Sequence, residues 1–437
     1  MRPALFTQHE PEPTPVSRVR HTSAGVLLLL LAGVAVPQRA CSLSAQSADA
    51  PNSPPSVTWD NGVTIDFGNG ENELQFGGLI QLDGRFAPDD PLHAVTDTLL
   101  LRRVRPIFQG RVSRIFEFRI MPDFGNGQAL LFDAFFDMKL SDAFRVRMGK
   151  DKTPIGLELL NADYAVLFPE RSLVTDLVPN RDIGIQAIGR VAGGRISYAG
   201  GIFNGVPDGN NGDITLGSGK DLVGRVAVRP FSAGAAAQLQ GLSFAVGGSV
   251  GRQTAGLPVF RTSAQQIFFS YASAATANGR RTRLSPSTSY YYKSIGAFAE
   301  YARSSQDVAR VDSAARVANQ AWGVTGSIVL TGESASERGV DPRRPYNRER
   351  RQWGAFEIVA RHAQLKVDPA AFAAGLAAPD ASRSASATGV GLLWYLNQHV
   401  KYVLTFERTS FEGGPNGVRP NEHAIIFRLQ LNLQPTL

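Results

Sequence analysis

The chain has 437 residues, 43% of them hydrophobic and 19% charged, with 44 glycines and a mean hydropathy of −0.11. A bundle of membrane helices would be far more apolar, and a disordered chain far more charged. The formal charge of +7 falls to about +5 once residues 1–45 are set aside. That excess is too small and too dispersed to point to nucleic acid, yet inside an enclosed space it would favour anions.

Arg18, Arg20 and His21 precede an apolar run over 24–36. Its 13 residues are too few to cross a hydrocarbon core of ~30 Å as a helix, so 1–45 reads as a signal peptide. The small residues of Ser42-Leu43-Ser44-Ala45-Gln46 offer cleavage after Ser44 or Ala45. The only cysteine, Cys41, would leave with it, and Gln38-Arg39-Ala40 lacks the apolar residue expected before a lipidated cysteine. Disulfides and thiolate metal sites are then excluded. A Pro/Ser/Asn-rich lead-in follows over 46–72, with turn signals at Asn61-Gly62 and Gly68-Asn69-Gly70.

From there, apolar and polar residues alternate in segments of roughly ten, which is the period of a strand with unlike faces. The segments are 73–87, 98–112, 115–124, 130–140, 143–151, 181–191, 193–203, 220–230, 241–252, 281–291, 294–304, 320–331, 352–365, 385–396, 399–411 and 422–433, with 267–271 competing for the tenth place. In the last, Ile425, Phe427, Leu429, Leu431 and Leu433 oppose Ala424, Ile426, Arg428, Gln430 and Asn432. In the fourth, Phe132, Ala134, Phe136, Met138 and Leu140 oppose Leu131, Asp133, Phe135, Asp137 and Lys139. Sixteen such strands after a secretory signal predict an all-β, antiparallel transmembrane barrel over 73–433, followed by a short extension, 434–437. Its apolar faces meet outer-membrane lipid and its polar faces a water-filled lumen. The connectors agree, being short after most even strands and long after most odd ones, notably 152–180, 204–219, 253–280 and 366–384. On the short side, 332–351 is the exception, long and rich in arginine.

A charge facing lipid near the midplane costs ~2–4 kcal/mol, which assigns Arg103, Arg105 and Arg111 of the second strand to the lumen. Arg225 and Arg229 share a polar face in the eighth. Asp133, Asp137, Glu117 and Asp123 are available as partners, so each arginine has a structural reading beside the functional one. Pro106 removes a ladder donor and predicts a local irregularity. Tyr290-Tyr291-Tyr292 and Trp394-Tyr395 suit an interfacial girdle. The histidines are scattered, and Asp208-Gly209-Asn210-Asn211-Gly212-Asp213 lacks the closing Glu of a calcium loop and reads as an exposed loop. No enzyme, cofactor or metal is expected.

Several stretches together resemble the phosphate-selective porin O and P family. They include Leu101-Arg102-Arg103-Val104-Arg105, Arg147-Met148-Gly149-Lys150-Asp151-Lys152-Thr153-Pro154-Ile155-Gly156, Phe168-Pro169-Glu170-Arg171-Ser172-Leu173-Val174 and Gly201-Ile202-Phe203-Asn204-Gly205. Further on come Pro342-Arg343-Arg344-Pro345, Trp394-Tyr395-Leu396-Asn397 and Phe406-Glu407-Arg408-Thr409-Ser410-Phe411. The set follows the family's order over roughly 70–433. The resemblance implies a sixteen-stranded porin, usually a homotrimer, inserted by the barrel assembly machinery and passing small inorganic anions such as phosphate or polyphosphate. It also implies that 152–180, 253–280 and the turn 332–351 fold into the lumen. Lys150, Lys152 and Arg171 would then stand at the constriction, and Arg343 and Arg344 in the vestibule on the turn side. The chain departs from the family in its fifth loop, which has no ladder of closely spaced arginines. A general or differently selective diffusion porin (sugars, carboxylates) and a secreted β-rich binding protein without a pore are the other readings.

Overall fold

A computed structural model describes residues 54–59, 61–68, 70–88, 97–213, 217–231, 236–254, 256–414 and 417–434. The segment 1–45, expected as a signal peptide, lies outside them, as do 435–437. The alternating segments form β1 (Asn72–Phe86), β2 (Thr98–Val112), β3 (Phe116–Asp123), β4 (Leu130–Ser141), β5 (Phe144–Lys152), β6 (Arg181–Val191), β7 (Ile196–Phe203) and β8 (Asp221–Val228). They continue as β9 (Leu242–Gln253), β10 (Thr276–Tyr292), β11 (Ile295–Arg310), β12 (Ser313–Val329), β13 (Ala355–Lys366), β14 (Ser382–Tyr395), β15 (Val400–Gly413) and β16 (Glu422–Leu433). Each pairs antiparallel with the next, and β16 closes on β1 from Ile425↔Phe86 to Leu433↔Gly78, a sixteen-stranded barrel. No described helix is long and apolar enough to cross a membrane.

Period two sets the faces as expected. On β16, Phe427 and Leu431 are exposed on the outside, while Ala424, Ile426, Arg428, Gln430 and Asn432 are buried inside. Phe132 is a correction. The register shifts where Met121 pairs with Asp133 and Pro122 with Leu131, leaving Phe132 unpaired. Its ring lies under the inward guanidinium groups of Arg105 (4.1 Å) and Arg181 (4.5 Å). A bulge adds one residue to a strand and so re-aims a side chain. Continued two residues past Phe108↔Ile120, the β2–β3 register would set Pro106 opposite Pro122, and the pairing stops at Phe108. Neither proline has an N–H to donate, so the ladder breaks there, with Phe124 N donating to Val104 O (2.9 Å) beyond the gap. A second bulge, between Gln81 and Leu82 of β1, faces Arg103 and Leu101 and leaves Arg102 unpaired.

Strands β10 to β12 run longer than the alternation predicted, and only 311–312 joins β11 to β12. Their outer ends carry polar residues on both faces (Ser304, Ser305, Gln306, Asp307), which hides the period there. The competing segment 267–271 supplies a separate two-stranded hairpin within a loop, Phe260–Arg261 with Ile267–Phe269. The lead-in also holds a hairpin, Ser56–Trp59 with Val63–Phe67, turning at Asn61 (φ 53°) and Gly62 (φ 126°). Its second strand pairs with β1 from Val63↔Phe76 to Phe67↔Asn72, the edge that β16 leaves open beyond Gly78. Strand edges left unpaired invite association, and the hairpin covers this one.

Part of the barrel interior is a packed core. Leu159, Leu173, Val174 and Leu177 of the loop between β5 and β6 meet Phe260, Phe268 and Phe269 of the loop between β9 and β10. Both rest on inward Ala302, Val317, Ala321, Ala363 and Leu365 of β11 to β13, joined by Ala371 and Leu376 of the loop after β13. A second cluster at the turn end joins Phe168 of the first loop to Ala335 and Val340 of the long turn 330–354 and to Val359, Leu393 and Val403. Of the three infolded segments that the resemblance implied, the two loops are therefore inside, whereas the turn tucks in only about Ala335 and Val340 and carries Tyr346 against outward Trp394 (5.9 Å). Tyr395 belongs to this inner cluster, its hydroxyl donating to Glu357 (2.7 Å), and is no girdle residue; Tyr291 packs against the same cluster. Trp394 does face outward, stacked between Phe356 (5.7 Å) and Tyr402 (5.6 Å), with Tyr402 next to Phe427 (5.7 Å).

Candidate functional site

The interior is built around the loop 153–180, which carries the short helix α1 (Leu157–Leu160). Its path is fixed by wall side chains that donate to its backbone carbonyls. Lys152 reaches Asn161 O (2.7 Å), Gln81 reaches Asp163 O (3.2 Å) and Gln430 reaches Tyr164 O (3.1 Å). Lys401 reaches Val166 O (3.1 Å), Arg428 reaches Pro169 O (2.7 Å) and Arg361 reaches Glu170 O (2.7 Å). Buried carbonyls need such partners, and the loop has no ladder of its own to supply them.

Two loop carboxylates gather the wall arginines. Asp163 pairs with Arg105 and with Arg171 (2.7 Å), with Arg181 at 3.5 Å and Arg103 at 4.0 Å. Glu170 takes Arg102 (2.5 Å) and Arg85 (2.6 Å). The bulge at Arg102 is what lets neighbouring Arg102 and Arg103 both turn inward, the first to Glu170 and the second to Gln81 Oε1 (2.6 Å). Burial alone would push Asp163 up, but Arg171, Arg105 and Lys152 hold its carboxyl well below the usual range. Glu170 is likewise held down against burial, chiefly by Arg102 and Arg85.

A carboxyl depressed in the folded state contributes stability above its unfolded value, near 4, and loses it as pH falls through the lower folded value. The loop should therefore keep its place, and the channel its conductance, from about pH 8 to about pH 5, with release only well below about pH 4. Bilayer recordings over a pH series, with proteolysis of the loop as a second readout, check this; a conductance step near pH 6 would contradict it.

Under the loop lies a cavity of about 920 Å³ at the turn end. Leu157, Leu160, Asn161 and Tyr164 roof it. Its walls carry Arg190, Arg195, Arg225, Arg229 and Arg338 against Asp142 and Glu337. Arg229 pairs with Glu337 (3.1 Å), whereas among the described residues Arg190, Arg195, Arg225 and Arg338 make no ion pair. A neighbouring cavity of about 360 Å³ runs past Arg147, Lys152 and Arg225. Fixed positive charge in a low-dielectric wall is the arrangement by which a pore concentrates anions.

Of the arginines and lysines singled out in the sequence, Arg225 and Arg229 line the vestibule and Lys152 borders its smaller neighbour. Arg103, Arg105 and Arg171 are brought together around Asp163. Arg105 also meets Asp123 (2.7 Å), Arg111 meets Glu73 (2.5 Å) and Lys150 meets Asp213. Arg343 and Arg344 are exposed on the turn 330–354. Sequence reasoning missed Asp163, Glu170, Arg190 and Arg195, which sit in loops or at strand ends where period two says nothing. The stretch 208–213 is no exposed loop at its start: Asp208 is buried and accepts from Arg283 (2.5 Å). No acidic or histidine cluster suited to a metal occurs among the described residues.

The family model described as phosphate-selective porin O and P matches residues 74–433. No curated protein matches the chain. Among solved structures, the outer-membrane channel DcaP of Acinetobacter baumannii is similar at a TM-score of 0.55 and 9% identity, over 83% of this chain and 98% of that one. OmpT of Vibrio cholerae in a trimer form gives 0.51 at 11% identity, over 82% and 99%. An anion-selective porin from Comamonas acidovorans gives 0.50 at 11%, over 83% and 99%. At these identities the likeness is one of fold.

Proposed function

Because this chain belongs to the phosphate-selective porin O and P family, we propose that its barrel, an outer-membrane porin channel, passes small inorganic anions, with phosphate and polyphosphate the leading solutes. The observation that supports this reading is the vestibule, where four arginines without ion partners among the described residues face a cavity of about 920 Å³. Arginine's planar fork of donors suits phosphate oxygens, and its charge persists at any physiological pH. Arg190, Arg195, Arg225 and Arg338 are the capture groups. Arg103, Arg105 and Arg171 are positioning residues that hold the loop 153–180 over them through Asp163. Passage is downhill and needs no cofactor, and the channel has no catalytic role. Three protomers assemble in the membrane, as OmpT of Vibrio cholerae does in its trimer form, and residues 1–45 direct export before they are removed.

Single-channel recording in a KCl gradient tests the selectivity. The expected result is small unit steps, a reversal potential of anion sign, and block when phosphate is titrated in. A reversal potential near zero with no phosphate block would make it a general diffusion porin; one of cation sign would overturn the proposal.

A further inference from the structure

On the outer wall, aromatic side chains mark both edges of the apolar band. Phe356, paired with Trp394, stands at the turn end of β13, and Gln364, paired with Trp322, stands eight residues further along. At ~3.4 Å per residue that is about 27 Å along the strand, and a tilt of about 35–45° leaves about 20 Å of height, within an apolar band of about 25 Å. Between them most outward side chains are apolar and exposed, among them Ile358, Val324, Val390, Leu392, Leu404 and Phe406, with His362, Thr388 and Arg408 a polar row near the loop side. Trp322 and its neighbour Tyr301 therefore sit at the boundary on the side of the long loops.

One step beyond that boundary, the cross-strand row Arg303↔Gln320↔Lys366↔Ser384↔Glu412 crosses five strands. Arg303, Lys366 and the bulged Arg383 line a cavity of about 490 Å³ there. Inside the barrel the arginines gathered around Asp163 and Glu170 are paired with carboxylates; these three cations have no ion partner among the described residues. Two acids share the cavity, which leaves it a net charge of +1, and neither is within ion-pair distance of the three cations. Asp368 accepts from Ala318 N (2.8 Å) and Ala370 N (2.9 Å), and Glu412 accepts from Ser384 Oγ (3.3 Å).

We infer that Arg303, Lys366 and Arg383 form a binding site for the phosphorylated headgroup of an outer-leaflet glycolipid, of the lipid A type. The position selects a lipid over a free ion, because the cations stand at the loop-side rim of the outer wall, whose apolar band takes acyl chains below the polar rows of Gln364 and His362. Three cations at the headgroup level match a ligand with more than one phosphate. Long loops face the cell exterior, which places the row in the outer leaflet.

The test measures lipid retained by the full, folded, detergent-purified protein, using native mass spectrometry after incubation with diphosphoryl lipid A. Replacing all three residues (Arg303→Gln, Lys366→Gln, Arg383→Gln) should weaken retention about a hundredfold, each such charge being worth roughly a factor of five at an anionic lipid surface. Oligomeric state and heat-modifiable mobility should not change. Unaltered retention by the triple variant would overturn the inference, and a changed oligomeric state would reassign the row to protomer contact. The unsubstituted protein gives an answer independent of any folding defect. It should hold diphosphoryl lipid A and release the dephosphorylated form, and inorganic phosphate in the millimolar range should not displace the lipid. Equal retention of both forms, or displacement by phosphate alone, would refute a headgroup site.

Discussion

Asp163→Asn should leave the barrel folded and free the loop 153–180. The substitution conserves shape but removes the charge around which Arg105, Arg171, Arg181 and Arg103 converge. Removing one member of a buried ion pair costs about 3–5 kcal/mol, because the remaining charge stays buried and unpaired. Here several cations lose one anion together, so their mutual repulsion adds to that cost. The sixteen-strand ladder does not depend on the pair, so heat-modifiable mobility should persist. Single-channel steps should grow and become noisy, and protease should cut within the loop. A variant with parental conductance and an uncut loop would show that the carbonyl contacts from the wall hold it unaided.

The second large effect concerns the sign of selectivity. Five arginines and two carboxylates line the vestibule, a local excess of three positive charges. Arg190→Glu with Arg225→Glu turns this into three arginines against four carboxylates, an excess of one negative charge. Charge on the wall of a narrow, low-dielectric space governs which ion is concentrated there. The reversal potential in a KCl gradient should therefore change from anion to cation sign, and phosphate block should disappear. High salt should blunt the difference, since the Debye length falls from ~10 Å at 0.1 M to ~3 Å at 1 M. Reversing Arg343 and Arg344, exposed on the turn 330–354, should leave the sign unchanged. If the vestibule variant kept the parental sign, selectivity would have to reside above the loop.

Most of the barrel was legible because alternation is a local property: each strand reports its own faces. It became illegible where locality failed. The outer ends of β10 to β12 stand clear of lipid, so nothing forces their outward residues to be apolar. Phe132 kept the spacing of an outward residue and was turned inward by a bulge that only its partner strand reveals. Pro106 did announce its irregularity, although the reason lay across the ladder in Pro122. Tyr395 reads like Trp394 in sequence and faces the opposite way, as period two requires. The arginines were the hardest to read. Arg105 and Arg225 look alike along the chain, and what separates them is whether a carboxylate from a distant loop arrives. Asp163 is 58 residues from Arg105 in sequence, and no local pattern links the two.

The contacts between wall and loop have an evolutionary consequence. Gln81, Lys152, Arg361, Lys401, Gln430 and Arg428 grip main-chain oxygens, which every amino acid possesses. The course of the loop is thus written largely into the strands around it. Positions such as Leu157, Leu160 and Ala162, which look down into the vestibule, can drift in side chain while the loop stays in place. A lineage carrying this barrel can change the solute it admits by single substitutions, without first inventing a new fold for the constriction.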